Sequence, residues 1–343
     1  MKKRLIYLMA LCTLFSCKSN NQKTIYKSAS SGNINSLLVV IDNALWTGRV
    51  GDALRENLGG EIYGLPQIEP QFDLRQVPTA VFSDFVRLNR TVLKIQISDE
   101  TGIKYYKDPY ATPQKMAIIS GPDRQTLIDL IELNAATLVS SFKSLEFKEK
   151  QRRIDKALFN TSRIETALNI KLRFSSVYRI AKEKEDFFWI RRDTKTGSLN
   201  LLLYNLPTQN FESTDAFSDY VIRKRDSIAK QFVPGPLKGN YMTTETSYTP
   251  FFVLRDMSNV TALETRSLWK IEDAFMSGPF VNFCFVDKTN RRLFVAEGFV
   301  YAPSESKRDY MFELETMMPV LLGMLGLGGM RSYEKAKGVA RTK

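Results

Sequence analysis

The spacing of apolar residues in the N-terminal half predicts short strands separated by amphipathic helices. A continuous apolar run over residues 37–42 is typical of a buried strand, whereas residues 91–98 alternate between apolar and polar positions. A Gly-Gly pair at residues 59–60 follows a stretch with apolar positions at helical spacing. The predicted elements are strands over residues 37–42, 91–98 and 116–120 and helices over residues 48–58 and 82–90.

A long helix is predicted after residue 120. Ser120, Pro122 and Asp123 suit the first turn of a helix, because they offer a cap, a fixed φ angle and a negative charge near the positive helix end. The apolar residues beyond them are spaced by three, four or seven, which places them on one face. They are Leu127, Leu130, Ile131, Leu138, Phe142 and Leu145.

Strands dominate the predicted C-terminal half. Strands are expected over 199–205, 251–255, 266–272, 278–286 and 292–301, a strand pair over 176–193, and helices over 218–232 and 304–318. The order strand, proline, helix recurs near Pro122, Pro207 and Pro303. We therefore expect an α+β fold with mixed, mainly antiparallel sheets and helices packed on one face, built as two ferredoxin-like halves over residues 34–160 and 161–318.

The first residues have the layout of a secretory signal. Residues 2–4 are basic, residues 5–15 form an apolar run too short to span a membrane, and the small Ser16 precedes Cys17. A cysteine at this place resembles the lipobox of bacterial lipoproteins, which implies cleavage after residue 16 and attachment of lipid, including palmitate, to Cys17. A plain signal peptide with an incidental cysteine, or an uncleaved anchor, are the alternatives.

Residues 17–33 have the polar, small-residue composition of a flexible tether. Lys18 stands where an Asp would resemble an inner-membrane retention signal, and no acidic cluster resembling a surface-export signal follows. We therefore expect a lipid-anchored protein of the cell envelope, on the outer membrane and facing the periplasm.

Composition restricts the chemistry that the chain can perform. The sequence contains no histidine, which excludes histidine-dependent triads, histidine metal sites and histidine general bases. We expect no cofactor and no metal. The net charge of +12 is concentrated in the leader and in the basic tail within residues 319–343, and the remaining excess suits an anionic lipid or glycan better than nucleic acid.

Carboxylates are the remaining candidates for catalysis. Glu183, Glu185 and Asp186 form one group, and Glu272 and Asp273 form another. Paired carboxylates can hydrolyse glycosides without a histidine. The first group is interleaved with lysines and reads as a solvated turn, so we favour a structural role for it.

Four further features each allow a structural and a functional interpretation. Residues 187–192 combine aromatics with arginines, but we interpret them as an amphipathic strand rather than a nucleic-acid platform. Cys284, flanked by phenylalanines, is expected to be an inert core thiol rather than a reactive one. Ser227, in an Asp-Ser-Ile sequence, resembles an O-glycosylation site. Residues 317–330 are apolar and glycine-rich, and either pack on the core or lie on a membrane surface.

Several motifs resemble those of a family of Bacteroidota lipoproteins catalogued only as a domain of unknown function. They are Tyr178-Arg179-Ile180-Ala181-Lys182-Glu183, residues 187–192, residues 263–269, Gly278-Pro279-Phe280, residues 298–303 and Lys307-Arg308-Asp309-Tyr310. The resemblance covers most of the chain up to the last helix. It implies a lipoprotein and brings no catalytic residue or cofactor.

These observations predict a non-catalytic protein that binds or scaffolds another envelope component. It would be held to the membrane by its lipid and would bind an envelope protein or an anionic glycan, with no role for nucleic acid. The alternative is a carboxylate-dependent hydrolase acting on an envelope polysaccharide.

Overall fold

The computed structural model describes residues 27–324 except residues 258, 259 and 289, and it places two large β-sheets one after the other along the chain. The strands are β1 (Ser28–Ala29), β2 (Ser36–Val40), β3 (Asp73–Val77), β4 (Thr91–Ile97), β5 (Gly102–Lys107), β6 (Ala111–Thr112), β7 (Lys115–Gly121), β8 (Arg179–Lys184), β9 (Phe187–Asp193), β10 (Ser198–Pro207), β11 (Met242–Thr244), β12 (Phe251–Met257), β13 (Val260–Ile271), β14 (Ser277–Asp287) and β15 (Arg292–Tyr301). The α-helices are α1 (Asn43–Trp46), α2 (Arg49–Leu58), α3 (Arg124–Ile154), α4 (Ser162–Leu168), α5 (Thr214–Phe232) and α6 (Arg308–Met324).

The N-terminal sheet has the order β3-β2-β4-β7-β5. Its first four strands are parallel and β5 is antiparallel to β7. Every residue of β2 is buried, as the continuous apolar run predicts. One face of the sheet packs on α2 and α3, through apolar residues that include Leu37, Val39, Leu54 and Leu138.

Helix α3 is long enough to contact both sheets. The Asp123 carboxylate caps its N-terminus by accepting a hydrogen bond from the Thr126 N–H at 2.9 Å. Its 31 residues correspond to about 46 Å of helix, about twice the length of the longest strand in the N-terminal sheet. The end of the helix therefore extends beyond that sheet and packs against the C-terminal half, where Ile154 joins its core.

The C-terminal sheet is a curled half-barrel of eight antiparallel strands. Its order is β11-β13-β14-β15-β10-β9-β8, with β12 added on β13. Strand β10 is buried on both faces: Leu201 and Leu203 point to a core that includes α6, and Leu202 and Tyr204 point to a core that includes α5. No helix in the described part of the chain is long and apolar enough to cross a membrane.

The α+β class is confirmed, while two details differ from the sequence-based expectation. The two halves are not alike, since one sheet is mainly parallel and the other antiparallel, and neither is ferredoxin-like. Helices also lie on both faces of the C-terminal sheet. The predicted helix over residues 82–90 forms 3-10 turns instead, at Thr79–Val81 and Asp84–Leu88.

Candidate functional site

One face of the N-terminal sheet carries no α-helix within the described residues. Its side chains include Leu38, Val40, Val92 and Met116, and only the two 3-10 turns cross it, inserting Phe82 into this small core. We call this side of the sheet, together with the turn segment of residues 79–88, the uncovered face. Cross-strand register adds Lys94, Ile118 and Lys104 to it, because Ile118 pairs with both lysines.

The turn segment is held on the sheet by aromatic and cationic contacts. The Phe82 ring meets the Tyr110 ring edge-on, with centroids 5.8 Å apart. The Arg87 guanidinium lies 5.3 Å from the Tyr110 ring centroid, and its Nε donates to the Phe82 carbonyl at 2.9 Å. These contacts fix the segment while leaving other apolar side chains of it in solvent.

Gln114 connects the turn segment to the place where the chain enters the fold. Its Nε2 donates to the Arg87 and Asn89 carbonyls at 2.6 and 2.7 Å, and its Oε1 accepts from the Tyr110 and Ala111 N–H groups. Strand β1 pairs with β6 at Ala111, and the backbone of residue 31 bonds to that of residue 88. The first described residues, the turn segment and the β6 loop thus form one continuous surface.

Large apolar side chains are exposed on this surface. Phe85 is 85% exposed, Val81 51% and Tyr110 40%. Tyr106, on the edge strand β5, is 42% exposed. Neighbouring apolar side chains that remain in solvent mark surfaces on which something else binds.

Hydrogen bonds and ion pairs of charged side chains join the two halves of the molecule. The Glu69 carboxylate accepts from the Lys307 and Arg308 N–H groups at 2.8 and 2.9 Å, which caps the start of α6. The Arg308 guanidinium donates to both carboxylate oxygens of Asp73, and this lowers the pKa of Asp73. Gly64 reaches the C-terminal half with φ of +82°, where a Cβ would lie 2.7 Å from the Cβ of Arg266.

Helix α3 adds two ion pairs and one buried amine near this junction. Glu146 pairs with Arg90 at 2.8 Å, and its burial raises the pKa of its carboxyl despite the arginine. Lys150 contacts Glu313 of α6 at 2.6 Å. Burial also lowers the pKa of Lys143 to about 7. Such pKa shifts are found at catalytic sites. Here each charged group is surrounded by the groups that it contacts, so we interpret the junction as structural.

A second polar cluster lies beneath α5. Arg225 is buried and contacts Glu297 at 3.0 Å, and Glu297 also accepts from the Asn282 side-chain amide at 2.9 Å. Three buried polar atoms have no hydrogen-bond partner among the residues that the structure describes: Thr265 Oγ1, Ser267 Oγ and Asn282 Oδ1. Thr265 pairs with Asn282, and Asn282 with Glu297, so these side chains follow one row across the sheet.

The predicted carboxylate groups are not brought together. Glu183 pairs with Arg163 at 2.8 Å, and the turn after it joins β8 to β9. Glu272 and Asp273 lie in the turn from β13 to β14, at the opposite end of the strands and four strands away. Measured along the sheet, the separation between the two groups is about 25 Å in the strand direction and about 19 Å across the strands. The two groups therefore cannot act on one glycosidic bond.

The other candidates fall in ordinary structural positions. Cys284 is a free, buried thiol, and burial raises its pKa, which agrees with the expected inert core thiol. Residues 187–192 form the predicted strand, in which Trp189 donates to Asn200. The start of the strand is not amphipathic, because Phe187 and Phe188 are buried in the cores on opposite faces of the sheet. Ser227 is exposed on α5.

Some predictions concern residues that the structure does not describe or describes only in part. Cys17 and the leader lie outside the described residues, as does most of the predicted apolar segment and basic tail. Met317 and Met318 are buried in the C-terminal core, so the first residues of that segment pack on the protein. Among the described residues, no three His, Cys, Asp or Glu side chains are grouped so that they could hold a metal ion.

Sequence reasoning missed the uncovered face. The sequence predicts a short helix over residues 82–90 and does not show which of its side chains stay in solvent. The available signal was Pro78 followed by Ser83 and Asp84, which favours turns over a continuous helix.

Comparisons with known proteins identify domains of unknown function and no named activity. No curated protein matches the chain. Among solved structures, the chain is similar to the human StarD13 (DLC2) lipid transfer and protein localization domain, with 9% identity and a TM-score of 0.21 over 42% of this chain and 88% of that chain. That TM-score supports no statement on fold or function.

The family models match the two halves separately. Residues 30–155 match Domain of unknown function (DUF8532), and residues 157–319 match Domain of unknown function (DUF4837). These two matches leave out only residue 156 between residues 30 and 319. Two domains of unknown function, DUF8532 and DUF4837, therefore cover most of the chain.

Proposed function

We propose that the chain is a lipid-anchored protein of the cell envelope that binds or scaffolds another envelope component without catalysing a reaction. The observation that carries the proposal is the basic, apolar and small-residue pattern that ends at Cys17. The described residues begin ten positions later, at Lys27. There the chain enters the fold beside the uncovered face. Lipid attached to Cys17 would hold this face near the membrane.

The geometry favours a binding role over hydrolysis. A hydrolase of the predicted kind needs two carboxylates about 5–10 Å apart on either side of a bound sugar. The two predicted groups of acids lie at opposite corners of the C-terminal sheet, so no such pair forms between them. The exposed aromatic side chains and lysines of the uncovered face are the more suitable groups for binding an anionic partner.

Mass spectrometry of the mature protein from fractionated native cells tests the proposal. We expect a lipid-modified Cys17 at the N-terminus in the outer-membrane fraction, and its loss in a Cys17→Ser variant. An unmodified N-terminus in the periplasmic fraction would contradict lipid anchoring. The same spectra would show whether Ser227 carries a glycan.

A further inference from the structure

We infer that the uncovered face docks on the surface of the membrane that holds the lipid anchor, with Phe85 and Val81 inserted at the headgroup level. This inference rests on the lipid anchoring proposed above and names the partner of the uncovered face. The occupant is an anionic phospholipid surface.

The first argument is the exposure of the turn segment. Of its two phenylalanines, Phe82 packs into the sheet, whereas Phe85 projects with 85% of its surface exposed. Val81 lies on the same segment and is also mostly exposed. Leaving these side chains in water is unfavourable, and transferring an exposed phenylalanine into an apolar layer recovers that free energy.

The second argument is the length of the chain between Cys17 and the fold. Nine residues separate Cys17 from Lys27, and even when fully extended the ten steps from one Cα to the other span at most about 36 Å. Lys27 donates to the Asp108 carbonyl, two residues from Tyr110. The lipid therefore confines the surface that carries Tyr110 and the turn segment to the vicinity of the bilayer.

The third argument is the polar rim of this surface. Arg87 lies over the Tyr110 ring, and the exposed Lys107 and Lys27 are close by in the chain and in the fold. Tyrosine and basic side chains are the groups found at the headgroup level of membranes. Asp84 and Asp108 reduce the positive charge of this region. The apolar side chains must therefore supply much of the binding free energy.

The fourth argument is that the C-terminal half leaves this face free. That half contacts α3, which lies on the helix-covered face of the sheet. It also contacts Glu69 and Gly64, which lie on the loop between α2 and β3. The turn segment lies on the opposite face of the same sheet. Docking through the uncovered face thus requires no separation of the two halves.

Thiol labelling of the acylated full-length protein tests the inference. Ser83 is exposed between Val81 and Phe85, and Ser277 is exposed two residues from the fully exposed Phe275 on the C-terminal half. Ser83→Cys and Ser277→Cys are therefore matched probes at two exposed phenylalanines. Each variant is added to preformed vesicles of phosphatidylethanolamine and phosphatidylglycerol and treated with a membrane-impermeant maleimide. The buried Cys284 stays unreactive in the folded protein.

We expect the Ser83→Cys thiol to react about tenfold more slowly than the Ser277→Cys thiol, since burial of one phenylalanine ring shifts an equilibrium by at least about that factor. Adding Phe85→Ser should restore fast labelling of the Ser83→Cys thiol. Adding Phe275→Ser should leave labelling of the Ser277→Cys thiol unchanged.

Three other outcomes would overturn the inference, and they are distinguishable. Equal and fast labelling of both thiols on vesicles, with Cys17 acylated, refutes membrane docking and leaves lipid anchoring intact. Slow labelling of the Ser83→Cys thiol in native envelopes but not on protein-free vesicles identifies a protein as the occupant. Labelling of Cys17 in the wild-type chain shows that no acyl group is attached, so the proposed function fails together with the inference.

Discussion

The buried amine of Lys143 makes the stability of the junction depend on pH. Lys143 is only 5% exposed in α3, and its Nζ donates to Asn35 Oδ1 at 2.7 Å and to the Gln71 carbonyl at 2.6 Å. It lies between the rings of Phe72 and Phe312, one from each half of the molecule. Burial in this position lowers the pKa of Lys143 to about 7, against the opposing effect of the neighbouring carboxylates.

The direction of the pH effect follows from proton binding. In the unfolded chain a lysine has a pKa of about 10.4. Between about pH 7 and about pH 10 the unfolded chain therefore holds a proton that Lys143 of the folded protein has lost. The free energy of unfolding consequently rises with pH in this window, by about 1.5 kcal/mol between about pH 7 and about pH 8.5.

Urea unfolding of the wild type and of Lys143→Met at several pH values measures this contribution. The variant cannot titrate at this position, so the difference between the two unfolding free energies should shift in favour of the wild type by about 1.5 kcal/mol over that window. Lys148→Met is the matched control. Lys148 is exposed on the same helix, so this variant removes a lysine charge without changing a buried site.

Parallel pH profiles for the wild type and Lys143→Met would refute the reasoning. They would show that Lys143 keeps its proton in the folded protein, which requires that its contacts with Asn35 and Gln71 and the nearby carboxylates compensate fully for burial. A change in the urea dependence of unfolding would show a second effect, since that slope reports the surface exposed on unfolding.

Three further substitutions test other parts of the structure through the free energy of unfolding. Arg225→Met should lower it by about 3–5 kcal/mol, because Glu297 then remains buried without its cation, and adding Glu297→Gln should recover part of the loss. Gly64→Ala should cost about 1–3 kcal/mol more than Gly239→Ala, because both glycines have positive φ but only at Gly64 would the added Cβ clash. Equal costs would contradict the close approach of Gly64 to Arg266. Thr265→Val should leave it unchanged or raise it by about 1 kcal/mol, because the buried hydroxyl has no partner among the described residues, and a clear loss would reveal a partner such as a bound water.

Elements with a strong local pattern were predicted from the sequence. The apolar run that forms β2, the capped start of α3 and the hairpin of β14 and β15 are all found within a few residues of the expected bounds. In each, the local pattern agrees with the tertiary environment. Strand β5 was missed because most of its residues are exposed at the sheet edge, where apolar alternation is not required.

Features that depend on distant residues could not be predicted. The last helix begins at Arg308 rather than at residue 304, since the carboxylate that caps it belongs to Glu69, 238 residues earlier. The sequence likewise shows that Phe85 is apolar but not that the fold leaves it uncovered. The local sequence does not mark Arg225 and Glu297 as buried, and only the tertiary structure places them beside each other in the interior.

The boundary between the two family domains has a mechanical consequence. The N-terminal match ends at residue 155, and the C-terminal match begins at residue 157, directly after α3 ends at Ile154. The last turns of α3 contribute Lys150 and Ile154 to contacts with the following domain. A protease cutting in this link would therefore not release two independent fragments, because the packing of Ile154 and the ion pairs Lys150–Glu313 and Arg308–Asp73 would keep them associated. A tension applied at Lys27, the first described residue, would reach the C-terminal domain through these contacts as well as through the polypeptide link.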